Sequence, residues 1–430
     1  SGEVKSGGWN MNWQEYEIER EQLLAHAQAD AASIPLEDID VGHWDIMRND
    51  TIWPYFQRLR QEAPVYHHKK SIVGPFWSVT NYEMIKAVDT DAAQFSSEPT
   101  IGLNEVSEED SASSFISMDD PQHAVQRKAV APVAGPRNLA ALEPLIRERV
   151  VGILDSLPIG ETFNWVDKVS IELTTQMLAT LFDFPFEDRY KLTRWSDIAT
   201  SPRKAGLWDT LEERQQELNE CLQYMTRLRN ERADNPEGHD LLTMLAHNDG
   251  TKNMPPAEFL GNLLLLIVGG NDTTRNSISG GVLAMNRFPE EFEKLKKDPA
   301  KIPNAVAEII RWQTPLAFMR RTTTTDVEIN GTVIPKGERV LMWYASGNRD
   351  EAVFEDPDNL NVDRSNARQH LSFGFGVHRC MGNRVAELQL RLLWEEMLQR
   401  YSRIEVVGAP VRAISNFVRG YTELPVKLHT

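Results

Sequence analysis

The sequence predicts a mainly α fold with small antiparallel β-sheets (α+β). Helical periodicity fills Pro121 to Asp240, Phe259 to Met285, Asn304 to Gln313 and Gly382 to Tyr401. Short β-prone runs bounded by turn residues lie near both ends. No internal repeat and no Pro/Gly-rich seam divides the 430 residues, and 41% hydrophobic content suits one large core.

Taken in order, Asn10 to Ala32 is polar and periodic, a surface helix or a mobile arm. The chain therefore divides into an arm over residues 1–32 and one domain over 33–430. Val65-Tyr66 and Phe76 to Val79 read as a hairpin, and Asn81 caps a helix running through Val88. Glu98 to Phe115 is poor in apolar residues and reads as a long loop, a kind that is often functional. Phe259 to Met285 is a long, mainly apolar helix. The helix from Asn304 to Gln313 ends at Pro315. Val327 to Val340 alternates as a strand pair around Asn330-Gly331. Arg403 to Val407 and Glu423 to Leu428 read as closing strands.

A net charge of −17 disfavours nucleic acid and anionic membranes as partners. Local basic groups remain at Lys69-Lys70, Arg127-Lys128 and in the series Arg379, Arg384, Arg391. The longest apolar run, Leu263 to Val268, is too short to span a membrane, and no basic, apolar leader is seen. The expectation is a protein with no membrane anchor, cytoplasmic and monomeric. Its two distant cysteines, Cys221 and Cys380, fit a reducing compartment.

Cys380 carries the most chemistry. It lies in Phe373-Gly374-Phe375-Gly376-Val377-His378-Arg379-Cys380-Met381-Gly382, just before a long amphipathic stretch. A helix N-terminus and exposed backbone N–H groups would stabilise a thiolate there. With one other cysteine in the chain, multi-cysteine zinc and iron–sulfur sites are excluded. A lone thiolate in such a loop is an axial haem ligand or a nucleophile.

Phe373, Gly376, His378, Cys380 and Gly382 match the haem-binding loop of the cytochrome P-450 family. Glu308 to Arg311 matches its Glu-x-x-Arg, Gly269 to Thr274 its oxygen-activating helix, and Asp120-Pro121 with His123 and Arg127 its early haem-facing helix. The sequence thus resembles that family from about Asp119 to Gly382. The resemblance implies a single large triangular fold, with haem b between the oxygen-activating helix and the helix after the cysteine loop.

The resemblance also implies roles. Cys380 would be the thiolate ligand of the iron, pushing electron density toward it. Phe373 and Gly374 belong to its loop, with Phe373 shielding the sulfur. Gly376 and Gly382 would let the backbone turn beside the porphyrin. Thr273 would hold dioxygen and Asp272 would relay protons from solvent, while Gly269-Gly270 would leave room for oxygen. Thr274 is expected only to bond its own helix carbonyls. His123, Arg127, Arg321 and His378 would meet the haem propionates, Arg320 being the near alternative to Arg321. Glu308, Arg311 and Arg364 would form a structural ion network.

Ile101, Leu103, Leu265, Val268, Gly269, Leu316, Ala317, Phe318 and Phe417 would line an apolar substrate site, with the loop near Ile101 to Leu103 as a lid. Val268 to Ser277, Glu308 to Arg321, Trp343 to Arg349 and His370 to Glu387 further resemble the bacterial group that hydroxylates the terminal carbon of alkanes and fatty acids. No flavin or nicotinamide module is visible. The resemblance therefore implies electrons from a [2Fe–2S] ferredoxin and its NAD(P)H-dependent reductase, docking near Arg379, Arg384 and Lys128. A haem peroxygenase or reductive relative, and a non-catalytic haem sensor or carrier, are the competing readings. The Asp272-Thr273 pair disfavours both.

Overall fold

The computed structural model describes residues 11–103 and 113–430. The first helix, α1 (Trp13–Ser33), begins at a capping box in which Asn12 and Glu15 satisfy each other's backbone N–H groups. It packs on α3 (Trp53–Glu62), with the short α2 (Trp44–Arg48) between them in sequence. Ala27 and Ala31 are buried in that contact, and Tyr55 donates to Asp30 Oδ2 at 2.6 Å. Glu17 pairs with Arg287 at 2.9 Å. The polar segment is thus a docked helix over its described residues, held largely by polar contacts, which explains its weak apolar signal.

The expected hairpin forms between β1 (Val65–His68) and β2 (Phe76–Val79), and Asn81 caps α4 (Tyr82–Thr90) by accepting from the Glu83 and Met84 N–H groups. Then follow β3 (Phe95–Ser96), α5 (Gln122–Val130), α6 (Pro136–Asp155), β4 (Phe163–Asn164), α7 (Glu172–Phe182), α8 (Tyr190–Thr200), α9 (Leu211–Glu231) and α10 (Leu241–His247). The apolar helix is α11 (Pro256–Arg287), followed by α12 (Pro289–Lys297) and α13 (Ile302–Gln313). Next come β5 (Met319–Thr323), β6 (Val327–Ile329), β7 (Thr332–Ile334), β8 (Arg339–Met342) and α14 (Tyr344–Gly347). The chain closes with α15 (Asn383–Arg400), β9 (Arg403–Val406), β10 (Val411–Arg412), β11 (Tyr421–Glu423) and β12 (Pro425–His429).

One strand expectation needs correction. The hairpin at Asn330-Gly331 comprises only β6 and β7; Val340 belongs to β8 in a five-stranded sheet of order β1-β2-β8-β5-β3. That sheet joins the N-terminal hairpin to the later strands, and its β2–β8 pair is parallel, with Trp77 opposite Val340. Sequence-local pairing cannot reveal a crossover of this length. The closing strands do pair, β9 with β12, Val406 opposite Val426.

The helix α11 runs through two apolar cores. Phe259 to Ile267 belong to one with α5, α7, α8, α9 and α10, and Ile278 to Met285 to another with α6, α13 and α15. At the crossing, Asn271, Asp272, Thr274, Arg275, Asn276 and Ser277 are buried and polar. Burying such groups is unfavourable unless they are hydrogen-bonded. Among the described residues no helix is long and apolar enough to cross a membrane.

Candidate active site

Cys380 follows the 3₁₀ turn Gly376–His378 and precedes α15. Its N–H donates to the Phe373 carbonyl at 2.8 Å, closing the loop. Protein surrounds the residue, yet its side chain is accessible. Burial pushes its thiol pKa up, opposed by the Gly382 N–H and by the charges of Arg127 and Arg379. A cation at the sulfur would favour the thiolate against that burial. Cys221 is fully buried on α9, and burial pushes its thiol up as well.

The tight turn expected at Gly376 is present, and Gly374 shares it. Gly374 and Gly376 have φ of +69° and +72°, which only glycine adopts freely. A Cβ on Gly376 would stand 2.6 Å from the Asp89 carbonyl, and one on Gly374 3.3 Å from Asp89 Oδ2. The tight turn is made against α4. Gly382 has an ordinary negative φ of −91°, and a Cβ there would meet nothing within 4 Å.

On α11, Leu265, Val268, Gly269 and Thr273 are accessible, whereas Leu264, Ile267, Asn271, Asp272 and Thr274 are buried. The four-residue spacing from Leu265 to Gly269 to Thr273 forms one stripe. A Cβ on Gly269 would meet nothing within 4 Å, but one on Gly270 would strike Leu178 of α7 at 2.6 Å. Gly269 thus leaves space on the stripe, while Gly270 admits a neighbouring helix. Thr273 Oγ1 donates to the Gly269 carbonyl at 2.9 Å, the back-bonding expected for Thr274. Its oxygen lone pairs remain free to accept.

Asp272 is fully buried. Its Oδ1 accepts from Arg275 at 2.9 Å and from Ser196 Oγ at 3.2 Å, while Oδ2 has no hydrogen-bond partner among the described residues. Burial pushes its pKa up to about 6, against the opposing charge of Arg275. Arg275 also reaches Asp197 of α8 at 3.2 Å, and that carboxylate is about one-third exposed, at 34%.

The four basic groups expected at the propionates converge. The His123 and His378 rings are 3.8 Å apart. His123 Nδ1 meets Asp120 Oδ1 at 2.9 Å, and its buried Nε2 has no partner among the described residues. Burial, with the nearby positive charges of His123, Arg321 and Arg127, pushes the His378 pKa down to about 3. Arg127 donates to the Arg379 carbonyl at 2.6 Å, and Arg321 to Asp89 at 3.1 Å. Arg320 is also buried, with its guanidinium toward the Gly102 carbonyl. An accessible thiol, an orphaned imidazole nitrogen and clustered cations suit a group with a metal and two carboxylates, so these residues fit haem.

Behind the site, Glu308 pairs with Arg311, and its Oε2 accepts from Arg364 Nε at 2.8 Å and from Arg311 at 3.1 Å. All three side chains are buried.

The apolar lining divides in two. Leu316, Phe417, Ile101 and Leu103 are half-buried, and the Arg320 N–H donates to the Ile101 carbonyl at 2.8 Å. Ala317 and Phe318, by contrast, are fully buried. Phe318 packs 4.9 Å from Trp343 and 5.2 Å from Phe417, so the two residues back the wall instead of lining it. Residues 104–112 of the expected lid lie outside the described residues.

The model of the family "Cytochrome P450" matches residues 150–409. Linalool 8-monooxygenase of Pseudomonas putida is 35% identical over 406 residues, covering 91% of this chain and 99% of that protein. The chain belongs to the cytochrome P450 family. This P450 is also 31% identical to a methyl-branched lipid omega-hydroxylase of Mycobacterium tuberculosis, over 91% of this chain and 95% of that one. The solved structure of cytochrome P450-153 from Novosphingobium aromaticivorans superposes with a TM-score of 0.84 at 46% identity, over 91% of this chain and 99% of that chain. The family is one of haem–thiolate monooxygenases.

Sequence reading missed Asp89, Arg275, Asp197 and Ser196 in this P450. Arg275 carried a signal, as a charge three residues after Asp272 on an apolar helix. Asp89 and Ser196 carried none, because their partners lie far away in sequence.

Proposed function

We propose that this P450 inserts one oxygen atom of O2 into the terminal C–H bond of a medium-chain alkane or fatty acid, with electrons from a [2Fe–2S] ferredoxin and its NAD(P)H-dependent reductase. The observation that carries the reading is the accessible stripe Leu265, Val268, Gly269 and Thr273 on α11, which bears no charged side chain. It suits an apolar chain brought end-on to the reacting centre. The 31% identity to a lipid omega-hydroxylase and the 46% identity to cytochrome P450-153 support it.

Bound to Cys380, with propionates at His123, Arg127, Arg321 and His378, haem b would supply the redox centre for activating dioxygen. The chain's own residues do the rest. Thr273 Oγ1, its proton committed to the Gly269 carbonyl, accepts a hydrogen bond in the cleft. Asp272 is held through Oδ1, leaving Oδ2 to carry a proton. Arg275 connects it to solvent-touching Asp197. Leu316, Phe417, Ile101 and Leu103 exclude water and orient the chain. Because a primary C–H bond is stronger than its neighbours, selectivity must come from this positioning. Exposed Arg379, Arg384 and Lys128 offer an acidic ferredoxin a basic face beside the cysteine loop.

The test has two readouts. The reduced protein with carbon monoxide should show a red-shifted Soret band; without it Cys380 does not ligate iron. Reconstituted with NADH, a surrogate ferredoxin and reductase, the protein should give mainly terminal alcohols across a chain-length series of alkanes and fatty acids. Mainly subterminal products, or turnover with peroxide alone, would overturn the proposal.

A further inference from the structure

Asp89 lies in the last turn of α4 and is 5% exposed. A carboxylate at a helix C-terminus is electrostatically unfavourable, and burial makes it more so. Three donors from distant parts of the chain hold it. Its Oδ1 accepts from Arg321 of β5 at 3.1 Å, and its Oδ2 from the Tyr344 hydroxyl of α14 at 2.7 Å and the Phe375 N–H at 2.9 Å. The cysteine loop also closes on it sterically: a Cβ on Gly376 would clash with the Asp89 carbonyl, and one on Gly374 would crowd its Oδ2. Burial raises the Asp89 pKa, and Arg321, Tyr344 and Phe375 N–H oppose the rise.

Its charge counts where it sits. Arg321 stands near His378, which lies against His123 and close to Arg127. Against these basic groups the fold sets the carboxylates Asp89 and Asp120. We propose that Asp89 is a positioning residue of the haem–thiolate site: its carboxylate clamps the Cys380 loop to the Arg321 guanidinium and offsets positive charge beside the haem. The proposal rests on Cys380 being the iron ligand.

The test uses the holoprotein and two variants, Asp89→Asn and Tyr344→Phe. Three quantities are measured: the carbon monoxide Soret band, the reduction potential by spectroelectrochemical titration, and the rate of haem transfer to an apomyoglobin acceptor. Asp89→Asn keeps the shape but removes the charge, leaving Arg321 uncompensated. The extra positive charge favours the reduced state, so the potential should rise. Haem loss should quicken by ~10-fold, as for other partners that orient a metal ligand. Tyr344→Phe keeps the charge and should speed haem loss while leaving the potential near that of the unmodified protein. If the unmodified protein shows the red-shifted band but Asp89→Asn changes neither potential nor haem loss, the proposal fails. If Asp89→Asn retains no haem, Tyr344→Phe decides: unchanged haem loss overturns the clamp. Absence of the band in the unmodified protein instead defeats the ligand reading.

Discussion

Asp272 and Arg275 lie one turn apart on α11 and form an ion pair at 2.9 Å in which the carboxylate is fully buried. Arg275 also holds Asp197, so one guanidinium joins an interior acid to a surface one. Without that guanidinium, burying Asp272 between two apolar cores would be far less favourable.

Asp272→Asn should lower product formation by ~100-fold, the scale of a lost proton-transfer group. The amide can still accept from Arg275 through its oxygen, so the carbon monoxide spectrum should not change. Product per NADH consumed, measured beside that spectrum, checks this. Full activity in the variant would remove Asp272 from the proton path.

The raised pKa of Asp272 gives stability a defined pH dependence. Its folded value, about 6, lies above the ordinary carboxylate value of 3.8. The folded protein therefore binds a proton that the unfolded chain releases, and this contribution is full below pH ~4 and is lost as pH rises through ~6. The shift corresponds to roughly 3 kcal/mol. Relative to Asp272→Asn, the unmodified protein should lose about 2 kcal/mol of that stability between pH 4.5 and 7. Denaturant titrations of both proteins at the two pH values measure it.

Gly269 and Gly270 are neighbours with opposite surroundings. Gly269→Ala adds a methyl where nothing stands within 4 Å, so stability should hold or rise by ~0.5–1 kcal/mol, as for Gly to Ala within a helix. Because that methyl faces the accessible stripe, the ratio of terminal to subterminal alcohol should shift if the stripe lines the substrate site. Gly270→Ala meets buried Leu178 and should be the less stable of the two. Thermal unfolding and product ratios test the pair; unchanged ratios for Gly269→Ala would remove it from the lining.

Glu308→Gln removes the carboxylate that serves both Arg311 and Arg364. Two buried guanidiniums would then lack a counter-charge, costing about 3–5 kcal/mol. Burial already pulls the Arg311 pKa down to about 10, a sign of how little water reaches it. Unfolding in guanidinium chloride and haem retention should both report the loss.

The parts legible in the sequence share a property: their signals are local. The α11 and α15 helices announced themselves by periodicity, the β6–β7 turn by Asn330-Gly331, and the α4 cap by Asn81. The cysteine loop, Glu308-x-x-Arg311 and Asp272-Thr273 are likewise short runs whose chemistry lies within a few residues. What stayed hidden depended on partners far along the chain. The parallel β2–β8 pair joins Trp77 to Val340, and Asp89 meets Phe375 across 286 positions. Phe318 looked like lining because an apolar residue near a site cannot be told from core until its neighbours are known. Packed against Trp343 and Phe417, it is core.

By itself the sequence determined the mainly helical class, the single reactive Cys380 and the acid–alcohol pair on an apolar helix, since composition, periodicity and short-range spacing fix these. Only the tertiary structure decided that burial opposes the Cys380 thiolate, that Arg275 links Asp272 to Asp197, and that Asp89 closes on the cysteine loop. Burial, pKa and the pairing of distant charges depend on which segments the fold brings together, and one-dimensional spacing does not carry that information.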